Sequence, residues 1–400
     1  MKIAIYTDHF YPELGGIQDS VALTARSLGA RGHRIEIFAP RHPAADFARV
    51  GRSEEAPDLG RNVKVHRRLS LPFASSTLQS RAVIPLLTSL FARFGRRRPD
   101  VIHSHSFFGL GLEALVIGRL LGVPVVGTNH TNVHGFGPYI PVPVERAADW
   151  VTWYYNRCAA ITAPSRSVFE GLGESRIRHV PHIVSNPIDT DVFRPPVGDS
   201  RPVTRRSFGL TGSALDGSLI VYAGRLGVEK NIGIILHALA APGGYATLAI
   251  AGHGAHEPQL RALAASLGIA ERVVFLGTLS PPRLAALFGA ADLFVMMSTT
   301  ETQSMSSLQA MACGLPVIVP AGGAVAEFVS PGCGRLVDPH DADALASTIT
   351  DLLADADLRR RLGMAGREVA QRYCVAAVTT AWEALYQGLL PKTRFAWSKA

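Results

Sequence analysis

Residues 298–316 carry the densest candidate chemistry in the chain, running Ser298-Thr-Thr-Glu301-Thr-Gln303-Ser304-Met305-Ser-Ser-Leu-Gln309-Ala-Met-Ala-Cys-Gly314-Leu-Pro316. Apolar runs at 293–297 and 317–319 flank them, so the stretch reads as strand, loop, helix, strand. Ser304 or Thr302 can cap the helix, Gly314 can take the left-handed position after it, and Pro316 stops it. Free N–H groups and the positive end of the helix dipole then favour an anion beside the Glu301 carboxylate. A phosphate next to an acid points to a sugar nucleotide. Gln309 follows about two helical turns later, where its amide can grip a ribose. The same pattern also fits an ordinary βαβ crossover whose Glu301 and Gln309 face water.

Further chemistry stands at other strand ends. After the apolar run 218–222 comes Ala223-Gly224-Arg225-Leu-Gly-Val-Glu229-Lys230-Asn231. There a guanidinium fork and an ammonium can converge on two phosphates and offset charge on a leaving diphosphate without a metal. In the first half, Asp8-His9-Phe10-Tyr11-Pro12-Glu13-Leu14-Gly15-Gly16 follows the opening strand, and paired glycines let backbone N–H groups approach a phosphate. His103 and His105 end one strand and His130 the next, which together suggest a polar pocket. His103 and His105 read as packing or loop hydrogen bonds. Asp189 and Asp191 form a short acidic pair of a kind that recurs elsewhere, so no metal is assigned.

The elements that must position these groups alternate. Apolar runs at 3–6, 35–39, 63–66, 101–103, 123–127 and 160–163, then at 218–222, 247–251, 273–277, 293–297 and 317–319, are separated by segments of helical spacing. That alternation predicts parallel, doubly wound sheets with ligands past the strand C-termini. With 400 residues, two domains are expected. Residues 194–216, rich in proline, arginine and serine without apolar periodicity, read as their connector.

Hydrophobic residues make up 47% and charged residues 18%, which excludes a disordered chain. The formal charge of +8 suits anionic nucleotides or an anionic membrane, and the absence of a nucleic-acid motif argues against nucleic acid. Residues 81–98 set an apolar stripe beside arginines, and residues 137–155 are rich in interfacial aromatics; both fit a membrane surface. Helices packed on the sheet with a solvated basic end fit equally well. The first strand begins at once, without a signal-like segment, and the four cysteines lack metal or redox spacing, so a cytoplasmic protein is expected.

The segment from Glu301 to Pro316 resembles the family-4 glycosyltransferase signature, Glu, seven residues, Glu, then Ala-Met-Ala-Cys-Gly-x-Pro-Val. Here Gln309 stands for the second acid, and the usual Gly-Phe-Gly reads Thr302-Gln303-Ser304. The form Thr-Glu-Thr-Gln is similar to members that glycosylate membrane lipids such as diacylglycerol. The resemblance spans nearly the whole chain and implies the GT-B fold: an α/β architecture of two facing Rossmann-like doubly wound domains with an interdomain cleft. The expected limits are 1–195 for the acceptor domain, 217–376 for the donor domain, and 377–400 for a C-terminal helix for which the resemblance implies a return to the first domain.

It implies that Arg225 and Lys230 clamp the diphosphate, Glu301 holds the sugar, and Gln309 faces the ribose. Gln303, Ser304, Met305, Gly15 and Gly16 join the donor-binding set. His130 falls where relatives contact the sugar or the reacting centre. The implied activity is retaining transfer of a hexose, glucose from UDP-glucose in this reading, to a lipid acceptor on the cytoplasmic face of a membrane, with no metal or cofactor. A mannosyl- or glucosyltransferase acting on a lipid-linked oligosaccharide or polysaccharide precursor is the second reading. A nucleotide-sugar-binding pseudoenzyme or scaffold is a third, because Gln309 lacks the charge of the acid it replaces.

Overall fold

The computed structural model describes residues 1–13, 15–50, 52–54, 57–72, 81–83, 98–131, 143–170, 172, 176–198, 201–242 and 246–391. The chain divides into two compact units, Met1–Pro187 with Val375–Ala400, and Ile188–Cys374.

The first unit runs β1 (Lys2–Tyr6), α1 (Gly16–Ala30), β2 (Arg34–Pro40), α2 (Ala44–Arg49), β3 (Val63–Arg68), β4 (Ser70–Pro72), β5 (Arg81–Val83), β6 (Val101–Ser104), α3 (Gly109–Leu121), β7 (Val125–Thr128), α4 (Val144–Tyr155), β8 (Ala160–Ala163), α5 (Ser167–Glu170) and β9 (His182–Ile183). Its parallel sheet is ordered β3-β2-β1-β6-β7-β8-β9, with Ile3 between Ile35 and Val101. Strands β6, β7 and β8 are buried at every position. That explains their unbroken small and branched residues, since helices cover both faces of such a sheet.

The second unit runs α6 (Arg201–Ser207), α7 (Ser213–Asp216), β10 (Leu219–Ala223), α8 (Ile232–Ala240), β11 (Thr247–Ala251), α9 (Glu257–Ser266), β12 (Val273–Gly277), α10 (Pro281–Ala290), β13 (Leu293–Val295), α11 (Met305–Ala312), β14 (Val317–Pro320), α12 (Gly323–Ala326), β15 (Arg335–Val337), α13 (Ala342–Ala354) and α14 (Ala356–Gln371). Its sheet is ordered β12-β11-β10-β13-β14-β15. Strand order therefore reverses between β1 and β6 in one unit and between β10 and β13 in the other. In open α/β sheets that reversal opens the crevice where ligands bind.

The last helix, α15 (Val375–Leu389), packs in the first unit rather than the second. Val378, Trp382 and Tyr386 recur at helical spacing and are buried against the core of β1, β2 and α1. On the α1 side, Glu383 pairs with His33 Nε2 at 2.7 Å and with Arg31 Nη1 at 2.5 Å.

Three expectations need correction. Residues 194–216 are not a bare connector, because they hold α6 and α7 within the second unit. The cause is Arg205, buried and donating to the carbonyls of Ala290, Leu215 and Gly217 and to Asp292 Oδ2, so tertiary bonds replace the missing apolar pattern. Arg81–Val83 is strand β5 paired antiparallel with β4, and Arg81 is tied to Asp46 at 3.0 Å, while residues 84–97 lie outside the described residues. Of the interfacial aromatics, Tyr154 and Tyr155 are core residues, and residues 137–142 lie outside the described set.

Candidate active site

In the second unit the loops after β10 and β13 meet because their strands are neighbours, with Ile220 opposite Leu293. Lys230 Nζ lies 2.6 Å from Glu301 Oε1, with both side chains about six-sevenths buried at 15% and 16% exposure. Arg225 Nη2 lies 2.6 Å from Glu229 Oε1. Tyr222 joins the two pairs: its hydroxyl donates to the Arg225 carbonyl at 3.0 Å. Burial, followed by the Glu301 and Glu229 charges, holds its pKa well above the ordinary phenol value. The sequence thus brings both cations and the carboxylate into one neighbourhood, each cation with its own acid. Glu229 carries no motif of its own; its only signal is the four-residue step from Arg225.

Backbone geometry marks the same place. Among the described residues, Asn231 (φ 51°) and Ser304 (φ 61°) are the non-glycine residues with positive φ, and they flank Lys230 and Glu301 in sequence. Such conformations cost of order 1–3 kcal/mol each and collect at functional sites. Asn231 is held by Nδ2 donating to the Pro339 carbonyl at 2.7 Å. Ser304 caps α11, its Oγ accepting from Ser307 N at 3.4 Å and lying 2.7 Å from Ser307 Oγ. The amides of Met305 and Ser306 at the helix start have no intrahelical acceptor by geometry and are placed for an anion. Gln303 is buried, and Met305 and Gln309 are half-buried. Two glycines let the β11 loop press on the β10 loop: a Cβ on Gly252 would sit 1.9 Å from Gly224 O, and one on Gly254 2.2 Å from Leu226 O.

In the first unit the corresponding strand ends carry imidazoles. His130, after β7, has Nε2 2.9 Å from Nδ1 of His105, after β6. Burial, with His9 adding to it, lowers the His130 pKa to about 3. Burial, then His103 and His130, lowers that of His105 well below the ordinary histidine value. Both rings are therefore neutral near pH 7. His105, read from sequence as packing or a loop hydrogen bond, makes its hydrogen bond to the candidate group His130 itself.

The glycine loop is fixed by Glu13, which is buried and accepts from His9 Nδ1 at 2.8 Å and Gln18 Nε2 at 2.9 Å. Burial works against His9 holding a proton, but the Glu13 and Asp8 carboxylates raise its pKa above the ordinary value. Gly15 precedes α1 without a side-chain cap, so the first-turn amides from Gly16 onward remain available to a ligand.

Comparison with known proteins identifies the family and follows the division into two units. Residues 206–369 match the model for glycosyl transferases group 1, and residues 14–192 match that for glycosyltransferase family 4. A GDP-mannose-dependent alpha-mannosyltransferase of Mycolicibacterium smegmatis is 31% identical over 373 residues, covering 92% of each chain. The alpha-monoglucosyldiacylglycerol synthase of Streptococcus pneumoniae is 24% identical, covering 90% of this chain and 80% of the relative. The structure of Anabaena Alr3699/HepE with UDP-glucose superposes with a TM-score of 0.76 at 19% identity, over 97% of this chain and all of that one. The chain therefore belongs to the family-4 glycosyltransferases, with the GT-B fold of two Rossmann-like domains, and is a hexosyltransferase that uses a nucleotide-sugar donor.

Proposed function

We propose that the enzyme moves a hexose, glucose in this reading, from a nucleoside diphosphate sugar to a membrane lipid such as diacylglycerol, with retention at the anomeric carbon. The observation that carries the donor half is the Lys230–Glu301 contact of 2.6 Å beside the left-handed cap at Ser304. On this reading Lys230 and Arg225 turn to the diphosphate when the donor arrives, and Glu301 holds sugar hydroxyls without attacking the carbon. Once the donor is bound, cations held where charge develops in the transition state act there without further reorganisation. The bond from the anomeric carbon to the phosphate oxygen breaks as the acceptor oxygen attacks from the same face, and that oxygen's proton passes to the departing phosphate. Gly15, Gly16, Gln303, Ser304 and Met305 line the donor, Gln309 bonds the ribose, His130 contacts the sugar, and no metal takes part.

Attachment to the membrane surface from the cytoplasmic side belongs to the same proposal. It is supported by a row of side chains around α4: Phe108 stacks on Trp150 at 5.8 Å, Trp150 on Trp153 at 4.9 Å, and Arg157 lies 4.1 Å from the Trp153 ring centre. Phe108 is 53% and Trp153 39% exposed, which suits residues that sit at a bilayer interface with a cation alongside. No described helix is long and apolar enough to cross a membrane.

A second reading, mannosyl transfer to a lipid-linked glycan precursor, is favoured by the 31% identical mannosyltransferase. Purified protein assayed with UDP-glucose and with GDP-mannose, each with and without diacylglycerol vesicles, separates the two. Transfer from UDP-glucose that depends on vesicles is expected; nucleotide release indifferent to diacylglycerol would remove the lipid acceptor. Sedimentation with vesicles should depend on anionic lipid and weaken with salt.

A further inference from the structure

Three imidazoles stand one behind another at the strand ends of the first unit. His103 is fully buried, with Nδ1 2.7 Å from the Tyr386 hydroxyl and Nε2 2.7 Å from Thr128 Oγ1. Its ring centre is 4.0 Å from that of His105 and 4.5 Å from that of Trp382. His105 in turn reaches His130 through the 2.9 Å contact, their rings 5.2 Å apart and inclined by 19°. The other nitrogen of His105, Nε2, is buried and has no hydrogen-bond partner among the described residues.

Two neutral imidazoles in contact share a single proton, and two arrangements satisfy the contact. In one, His105 donates from Nδ1, His130 accepts on Nε2 and carries its own proton on Nδ1, and His105 Nε2 is a bare acceptor. In the other, His130 donates from Nε2, its Nδ1 is bare, and His105 buries an N–H at Nε2 with no acceptor. A buried polar nitrogen left unpaired costs about 1–3 kcal/mol as donor or acceptor alike, but among backbone groups the orphaned N–H is the rarer of the two, and the same preference is taken for the ring. The first arrangement is therefore the favoured one, against the preference of free histidine for a proton on Nε2.

We propose that His105 is a positioning residue that fixes His130 as the Nδ1–H tautomer, so that the first unit offers a hydrogen-bond donor, and not a base, to an oxygen of the transferred hexose or of its acceptor. Trp382 and Tyr386 of α15 back the stack by holding His103 against His105. A donor at this point suits a reaction in which the departing phosphate takes the acceptor's proton, because His130 then need not remove one. The role at the sugar rests on the function proposed above, whereas the tautomer does not.

The test uses the full chain labelled with 15N-histidine. Long-range proton–nitrogen correlation spectra near pH 7.5, assigned with His130→Gln, report which ring nitrogen of His130 carries hydrogen. Wild type should show Nδ1–H. His105→Phe, which keeps a ring in the stack without a donor, should move the proton to Nε2 and lower kcat by at least about tenfold with little change in the donor KM. His105→Asn, which sets an amide near the lost Nδ1, should restore both the tautomer and most of the rate. Nε2–H on His130 in wild type overturns the proposal whether or not either variant folds, and so does an unchanged tautomer in His105→Phe. A tautomer that moves while kcat does not would overturn the catalytic role and place the fault in the assignment of His130 to the substrate.

Discussion

At the strand ends of the first unit His105 and His130 are imidazoles held neutral by burial and by neighbouring rings; at the same edge of the second unit the polar groups are cations, each against its own acid. The two solutions suit different tasks. A nucleotide diphosphate brings charge, so its site needs countercharges in place, and the acids that pair with Lys230 and Arg225 keep those cations compensated meanwhile. Hydroxyls bring no charge and are recognised by uncharged donors and acceptors, which buried imidazoles supply. The contrast also predicts how each unit fails.

The largest expected loss is at Glu301. Replacing it by Gln should lower kcat/KM by about a hundredfold or more, as removal of preorganised charge does elsewhere, while thermal stability changes little. Steady-state rates within threefold of wild type would leave the ion pair merely structural. Next come the close backbone approaches, one in each unit. Gly252→Ala forces a Cβ to 1.9 Å from Gly224 O, and Gly111→Ala forces one to 2.1 Å from Ser106 O. Each should cost more than about 2 kcal/mol and lower Tm by several degrees. Calorimetry showing unchanged Tm for either would mean that loop yields freely.

Acid should act mainly on the first unit. His103 and His130 have folded pKa values lowered to about 3, so between that value and the ordinary 6.5 the unfolded chain binds more protons than the native one. Stability therefore falls as pH drops through this window, with a limiting slope of about 1.4 kcal/mol per pH unit for each ring, and these groups contribute no slope above it. His9 has the opposite sign, because its raised pKa adds stability that is lost as pH rises through its folded value. Hydrogen exchange at pH 4.5 should show β6 and β7 losing protection before β10 and β13. The smallest effect concerns Gln309→Glu, which should tighten nucleotide binding by about fivefold if the side chain faces the ribose, since charge assistance strengthens a hydrogen bond by about 1 kcal/mol. Titration calorimetry with unchanged affinity would remove Gln309 from the donor site.

Most of the fold was legible because parallel strands buried on both faces leave unbroken apolar runs, and all eleven runs identified became strands. The cap at Ser304 and the left-handed Gly314 (φ 76°) were legible for a local reason, since each depends on one residue and its neighbours. Edge strands such as β9 and β15 span two and three residues, too few to show a period. Helix α6 was hidden because its anchor, Arg205, is bound by carbonyls and an acid distant in sequence. The His105–His130 contact needed the pairing of β6 with β7, which no local pattern supplies.

The first unit is discontinuous: its final helix is made only after the whole of Ile188–Cys374. During synthesis the second unit is complete in sequence before the first is, and a nascent first unit has neither Trp382 nor Tyr386 to cover His103. A fragment ending at Pro187 would share that exposed patch of core and is a poor candidate for separate expression. Supplying residues 375–391 on a short loop after Pro187, or as a peptide in trans, is the natural way to obtain this half of the enzyme by itself.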